Sequence, residues 1–466
     1  MSEDLARLLG DIVGERNVQT GGDIGERYRL DITRKYGSAP AVAVKPGSTD
    51  EVAAVVKLAH ARGVPVTVIG GQSGTCAAAV PVDGGIAISL ERMNQVVEID
   101  PLSMTMTVEA GCILQLAQEA AEKEGALLPL DLGARGSAMI GGVIGTNAGG
   151  NRVLRWGMMR DMVLGLEAVL ADGTVVSSLT KMLKDNAGYS WKHLLIGSEG
   201  TLGIVTRAVL RLRPLPTTRQ TALIACSTFE EAIHVLRRLE VTLSGKLSSF
   251  ELMWGEFYST MTDAMADQRP APMPSGHAFY AVIEAMGGDE EADGGQFERG
   301  LMDLIEGGTI ADAVIAQSER EREAIWAVRE DMTAGLTPLR PFASYDVSMG
   351  VGDMPAFVAA ARTNLAQAYP EATALFYGHA GDGNLHAILS IGTMDADIQQ
   401  RFDRAIYDAV RTVGGSIAAE HGIGTTRKAF LSWTRSDAEI ALMRTLKCAI
   451  DPENILNPGK ILPEAA

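Results

Sequence analysis

Three short stretches crowded with glycine constrain this chain more than any other feature. Gly70-Gly71-Gln72-Ser73-Gly74-Thr75 follows the β-rich run "VPVTVIGG", Gly141 to Gly150 holds five glycines in ten residues, and Gly197-Ser198-Glu199-Gly200-Thr201-Leu202-Gly203 precedes a strand-like run. Backbone without Cβ atoms can turn successive N–H groups into one concavity, and Ser73 and Thr75 add hydroxyl donors. None of the three matches the GxGxxG turn of a nucleotide-binding Rossmann unit. A tight loop explains any one of them. Three in the same half of the chain favour a large cofactor with phosphate, sugar and ring portions. With 51 glycines and only 5% aromatic residues, packing relies on aliphatic side chains and close backbone approach.

A chain of 466 residues, 46% hydrophobic, can bury large cores and is expected to form two domains. Its formal charge of −17 disfavours a nucleic-acid role, because such binding needs a basic surface. Cys76, Cys112, Cys226 and Cys448 lie far apart with no CxxC pair, which reads as a reduced, intracellular and here cytoplasmic protein. The N-terminus reads as an amphipathic helix rather than an export segment, and no uncharged apolar run is long enough to span a bilayer. Peripheral membrane association stays open.

From Ala41 to Ile99 the pattern predicts an α/β unit: a strand in "AVAVKPG", a helix capped by Ser48 or Thr49 and stopped by Gly63, then a strand in "VPVTVIGG". Residues 131–176 begin as a small-residue loop and become two strands joined at Asp172-Gly173. Beyond about Thr221 "TALIACS" reads as an edge strand, "TFEEAIHVLRRLEV" as a helix and "AFYAVIEAMG" as a strand. "GDEEADGG" reads as an acidic surface loop and "DADIQQRFDRAIYDAVRTVGG" as an amphipathic helix.

His379 and His386 flank "AGDGNL", a turn that can present both imidazoles towards one point. Their spacing is neither a zinc-finger nor an HExxH pattern, so satisfied hairpin histidines stand beside metal ligands as readings. Arg329 and Thr333 are four residues apart and share a face if their segment is helical. Arg329 then offers a fork for a carboxylate, or an ordinary surface ion pair.

In order along the chain, "PVTVIGGQSGT", "GGVIGTNAGG", "GYSWKHLLIGSEGTLGIVT", "GHAGDGNLH", "AAEHGIG" and "DPENILNPGK" resemble the FAD-dependent D-2-hydroxyacid dehydrogenases. These belong to the vanillyl-alcohol oxidase and p-cresol methylhydroxylase flavoprotein superfamily, and the resemblance covers nearly the whole chain. It implies an α+β fold with an FAD-binding domain over 1–216 and an α+β substrate-binding cap over 217–415. A C-terminal helical segment, 416–466, would return to the flavin domain and complete the active site. Gly70, Gly71, Gln72, Ser73, Gly74 and Thr75 would hold the FAD pyrophosphate. Gly141, Gly142, Gly145, Thr146, Asn147, Gly197, Glu199, Gly200 and Gly203 would line its other portions, with Asn457 nearby and Lys460 in support. The first cluster has no histidine, and Cys76 alone is weak ground for a covalent link, so noncovalent FAD is expected.

The resemblance also implies that His379, His386 and Glu420 ligate a divalent metal, Zn²⁺ or Mn²⁺, and that His421 is the general base. In a regular strand Glu420 and His421 would face opposite sides, but the following "GIG" permits an irregular backbone. Arg329 and Thr333 would anchor the substrate carboxylate. Several relatives carry a lysine shortly before "DVS", where this chain has Ser344 and Tyr345, with Tyr345 as a hydrogen-bond donor or an apolar wall. The activity implied is oxidation of a D-2-hydroxyacid, D-2-hydroxyglutarate or D-lactate first, to the 2-oxoacid. Electrons would leave to a quinone, a cytochrome or an electron-transfer flavoprotein, and a homodimer fits such relatives. The alternatives are a glycolate or D-2-hydroxyacid oxidase using dioxygen, and a noncatalytic flavin-containing subunit.

Overall fold

Close approach of backbone to backbone and paired strands organise both parts of the computed structural model, which describes residues 2–464. The chain divides into two compact units. The first comprises Met1–Gly149, Gly157–Leu215 and Glu420–Ala466, and the second Gly150–Trp156 and Pro216–Ala419.

In the first unit a four-stranded sheet runs in the order Val18–Thr20, Val42–Val44, Ile86–Ser89, Val66–Ile69, with its last three strands parallel. The helix Thr49–Arg62 links two of these strands. Ser48 caps it by accepting from the Glu51 N–H, and Gly63 ends it in the left-handed region at φ 60°. The second sheet is antiparallel, in the order Val96–Asp100, Thr105–Glu109, Ile204–Arg211, Val163–Val169, Val175–Ser178. Its last two strands are the pair expected around Asp172-Gly173. The C-terminal tail adds itself to the first sheet: the Val66 N–H donates to the Ile455 carbonyl at 2.7 Å, and the Asn457 N–H to the Val66 carbonyl at 2.7 Å. One expectation fails here. Ile140–Thr146, read as loop, is a short helix whose glycines leave part of its surface without side chains.

The second unit is built on seven antiparallel strands in the order Asp312–Ile315, Thr218–Cys226, Phe279–Gly287, Leu247–Trp254, Thr373–His379, Asn384–Ser390, Ala343–Ser348. Thr218–Cys226, expected at an edge, is paired on both sides, which suits its unbroken apolar run. "GDEEADGG" is not a loop: helix Glu290–Glu306 begins inside it, because Asp289 caps the Ala292 N–H and the acidic residues occupy the favourable first turn. One face of the sheet carries an apolar cluster that includes Met253, Tyr258, Tyr280, Leu375, Tyr377 and Ile388. No helix among the described residues is long and apolar enough to cross a membrane.

Asp293 ties three elements of this unit. It accepts from Thr218 Oγ1 at 2.6 Å, from the Asp289 N–H at 2.9 Å and from Lys246 Nζ at 2.7 Å. Burial pushes its carboxyl up, but the Lys246, Thr218 and Asp289 bonds outweigh burial and bring it down to about 2. A carboxyl depressed by folding stabilises above its unfolded value, about 3.9, and the stabilisation goes as pH falls through the folded value. Asp293→Asn is therefore expected to lower the urea midpoint at pH 7, with the gap from wild type closing between about pH 4 and about pH 2. A gap that stays constant over that range counts against the assignment.

Candidate functional site

Strand register brings four polar residues to one face of the seven-stranded sheet. Glu251 stands opposite His379, Tyr377 opposite His386, and Asp346 opposite His386. His379 and His386 are thus diagonal neighbours across the hairpin, with ring centroids 5.4 Å apart. Both rings are buried, and each has a buried carboxylate behind its Nδ1. Glu251 Oε1 lies 2.7 Å from His379 Nδ1, and Asp346 Oδ1 lies 3.7 Å from His386 Nδ1. The short contact of Glu251 with His379 Nδ1 favours the His379 tautomer whose Nε2 lone pair is free for a metal.

Glu251 has no solvent exposure, and its second oxygen accepts from Arg329 Nε at 3.0 Å. The Arg329 guanidinium also lies over the Tyr377 ring, 4.6 Å from its centroid. Burial alone would raise the Glu251 carboxyl, but the charges and hydrogen bonds of His379 and Arg329 hold it below the usual carboxylate range. Sequence reading missed both Glu251 and Asp346. Each sits in a strand-forming run, and nothing local marks its carboxylate as facing a histidine.

Glu420 follows directly on the segment whose Ser416 pairs with Ser348. His379, His386 and Glu420 each offer one ligand atom, and these atoms all lie within 4.8 Å of one another. Two imidazoles with carboxylates behind them and one carboxylate form a donor set that fits a divalent ion. His421 lies in a bend with Gly422 at φ 79° and Gly424 at φ 53°, so the alternation of an ideal strand does not apply to it.

Two expected substrate contacts need correction. The helix carrying Arg329, Glu319–Glu330, stops at Asp331, and Thr333 lies exposed in the separate turn Met332–Gly335. The two residues therefore do not share one helix face. Tyr345 points to the other side of its strand from Asp346. It is buried, its hydroxyl donates to Asp403 Oδ1 at 2.7 Å and accepts from Gln399, and its ring meets Tyr407 edge-on.

In the first unit residues of all three glycine clusters wall one cavity. Gly70, Gly141, Gly142, Gly145, Thr146, Glu199, Gly200 and Gly203 line it, joined by small apolar residues such as Ala78, Ala79 and Ala110 that read as ordinary core. A Cβ on Gly71 would lie 1.9 Å from the Ser137 carbonyl oxygen, so only glycine fits there. A Cβ on Gly74 or Gly142 would meet nothing within 4 Å, which leaves open backbone for a ligand. The Thr75 hydroxyl is buried without a partner among the described residues, the kind of group a bound cofactor satisfies. This cradle fits FAD. Cys76 beside it is buried, and burial and then Glu199 push its thiol up to about 12, which withholds the thiolate.

Other expected cofactor residues have structural partners. Gln72 donates to the Arg27 carbonyl at 2.8 Å, and Asn147 accepts from the Arg160 N–H at 2.9 Å. The Asn457 amide bonds to Thr67, Ala78 and the Glu199 carbonyl at 2.8–3.1 Å, holding the cavity wall together. Lys460 donates to the Val80 carbonyl at 2.9 Å. Of the expected cofactor residues, Gly71, Gln72, Ser73, Gly74, Thr75, Asn147, Gly197 and Asn457 are not among those lining the cavity.

Residues 40–178 match the FAD binding domain family, and residues 215–461 match the C-terminal domain of FAD linked oxidases. D-2-hydroxyglutarate dehydrogenase of Xanthomonas citri pv. viticola is 38% identical over 94% of this chain and 92% of its own length. The mitochondrial D-2-hydroxyglutarate dehydrogenase of Bos taurus is 34% identical over 100% and 85%, and that of Arabidopsis thaliana 34% over 98% and 81%. p-Cresol methylhydroxylase with substrate bound shares the fold at a TM-score of 0.77 and 17% identity, over 98% of this chain and 96% of that one. Alkyldihydroxyacetonephosphate synthase does so at 0.74 and 19%, over 98% and 84%. The mitochondrial names overturn the expectation of a cytoplasmic protein: widely spaced cysteines and shared site motifs report chemistry, not compartment.

Glu251→Gln is expected to weaken Mn²⁺ or Zn²⁺ binding by about ten- to a hundredfold, because the amide polarises His379 less and leaves Arg329 unbalanced. Calorimetric titration of the flavin-loaded protein reads this directly. Affinity within twofold of wild type rejects the role given to Glu251.

Proposed function

The chain belongs to the FAD-linked oxidase family that includes the D-2-hydroxyglutarate dehydrogenases, and on that basis we propose His379, His386 and Glu420 as a divalent-metal site and His421 as its general base. The protein is a FAD-dependent dehydrogenase acting on a D-2-hydroxyacid. The observation that carries the finer reading is the pair of histidines, each with a buried carboxylate behind Nδ1. Hairpin histidines needed only for packing have no use for two buried acids.

FAD supplies the acceptor for a hydride, and a divalent ion supplies positive charge to a hydroxyl and its developing alkoxide. The chain's own residues do the rest. His421 takes the hydroxyl proton at a ring nitrogen while the α-carbon gives up its hydrogen as hydride, and the C–O single bond becomes the carbonyl of the 2-oxoacid. Glu251 holds Arg329 with its guanidinium against Tyr377, an orientation suited to receiving a carboxylate. Reoxidation uses a separate acceptor: a quinone, a cytochrome or an electron-transfer flavoprotein.

D-2-hydroxyglutarate is the first substrate, by likeness to the named relatives. A second reading, D-lactate, is favoured by Ser344. It shares the strand face of Asp346 and stands opposite Ile388, so this strip next to His386 offers a hydroxyl and a methyl group but no cation for a second carboxylate.

The test mixes flavin-loaded, metal-quantified protein anaerobically with both enantiomers of 2-hydroxyglutarate and lactate. The D-enantiomer of one acid is expected to bleach the oxidised-flavin band. His421→Ala is expected to slow bleaching by about 10²–10⁴, and metal removal to slow it comparably. Bleaching at the wild-type rate without metal sinks the metal's role, and no bleaching by any of the acids sinks both substrate readings.

A further inference from the structure

Glu199 is buried at 8% exposure and has its backbone in the left-handed region at φ 51°, where only a strong local demand holds a non-glycine residue. The demand is visible in its carboxylate. Oε1 accepts from the Ile423 N–H at 2.7 Å, and Oε2 from the Gly424 N–H at 2.8 Å. These two amides lie two and three residues after His421. We propose that Glu199 is a positioning residue for the Glu420–His421 segment, clamping its backbone from the turn that walls the cofactor cavity.

The surroundings leave this loop one conformation. Arg427 Nη1 donates to the Gly422 carbonyl at 2.8 Å, and the Thr425 N–H to the Cys76 carbonyl at 3.1 Å. A Cβ on Gly424 would lie 1.9 Å from the Cys76 carbonyl oxygen, and one on Gly422 would lie 2.6 Å from Glu199 Oε1. Glu199 is itself held from behind, its N–H on the Gly145 carbonyl at 2.8 Å and its own carbonyl on Asn457 Nδ2 at 2.8 Å. Gly145, Glu199 and Gly200 all line the cavity. A carboxylate is the wrong group to aim at a pyrophosphate, and both oxygens here are used in turning the loop. A bidentate grip on two successive amides fixes rotation as well as position, which a single hydrogen bond does not. The turn that the cofactor touches and the loop that carries the base and one metal ligand therefore move as one piece. A misplacement of about 1 Å is enough to cost about a hundredfold in rate.

This inference rests on the reading of His421 and Glu420 given above, and its test separates the two. Flavin-loaded wild type and Glu199→Gln are compared by hydrogen–deuterium exchange over residues 421–425, by Mn²⁺ titration and by anaerobic flavin reduction. The amide side chain can accept at only one of its two termini. Expected are an unchanged flavin stoichiometry, exchange faster by at least about tenfold, Mn²⁺ binding weaker by about tenfold, and kcat lower by about tenfold with KM within twofold. Faster exchange with Mn²⁺ affinity and kcat at wild-type values overturns the proposal, since the clamp would then be structural only. Lost flavin with unchanged exchange also overturns it, by moving Glu199 to the cofactor. If Glu199→Gln does not fold, Arg427→Gln removes the grip on Gly422 with Glu199 intact. The same changes in exchange and Mn²⁺ affinity support the clamp, and their absence overturns it. If no hydroxyacid reduces the wild-type flavin, the functional reading fails alone, and exchange with Mn²⁺ affinity still decides the role of Glu199.

Discussion

A carboxylate with no access to water has to be answered by donors, and Glu251 is answered by two that matter chemically. One oxygen faces His379 Nδ1 and the other Arg329 Nε. Removing one partner of such a buried pair costs about 3–5 kcal/mol, because the remaining charge is stranded. The tautomer of His379 and the placement of Arg329 are thus tied to one burial constraint. Asp346 Oδ1 lies 3.7 Å from His386 Nδ1, beyond hydrogen-bond length. The antiparallel register makes both arrangements available, since residues opposite each other share a face.

The first unit meets a different constraint, which is how near two backbones can come. Gly71 against Ser137, Gly111 against Leu90 and Gly424 against Cys76 each sit where a Cβ would lie within 2 Å of a carbonyl oxygen. Several residues whose chemistry suggested ligand contact also hold protein segments together: Asn147 on Arg160, Asn457 across three segments, Glu199 on the 423–424 amides. These bonds end on protein, while the Thr75 hydroxyl is buried without a partner among the described residues.

Local signals were legible wherever the chain's nearest neighbours decide the outcome. Ser48 and Gly63 bound their helix, Thr228 with Glu231 forms a capping box, and Asp395 caps the amphipathic helix Ala396–Thr412. The acidic run at Gly288–Gly295 misled because low hydrophobicity resembles a loop, while the same acids suit a helix N-terminus. The glycines of Ile140–Thr146 misled because low helix propensity was overruled by packing against Ala110. Arg329 and Thr333 have helical spacing in sequence, but the break at Asp331 separates them.

By itself the sequence determined the capped helices and the apolar strand runs, the clustering of glycine in the first half and the residue types able to ligate a metal or move a proton. These follow from local preference and from motif order, which a one-dimensional chain carries in full. Only the tertiary structure decided which acids stand behind His379 and His386, which face Tyr345 turns to, and that Glu199 grips amides 224 and 225 residues away. Those outcomes depend on strand register and on contacts between distant segments. A one-residue change of register would turn Glu251 to the other face of its sheet with no change in the sequence at all.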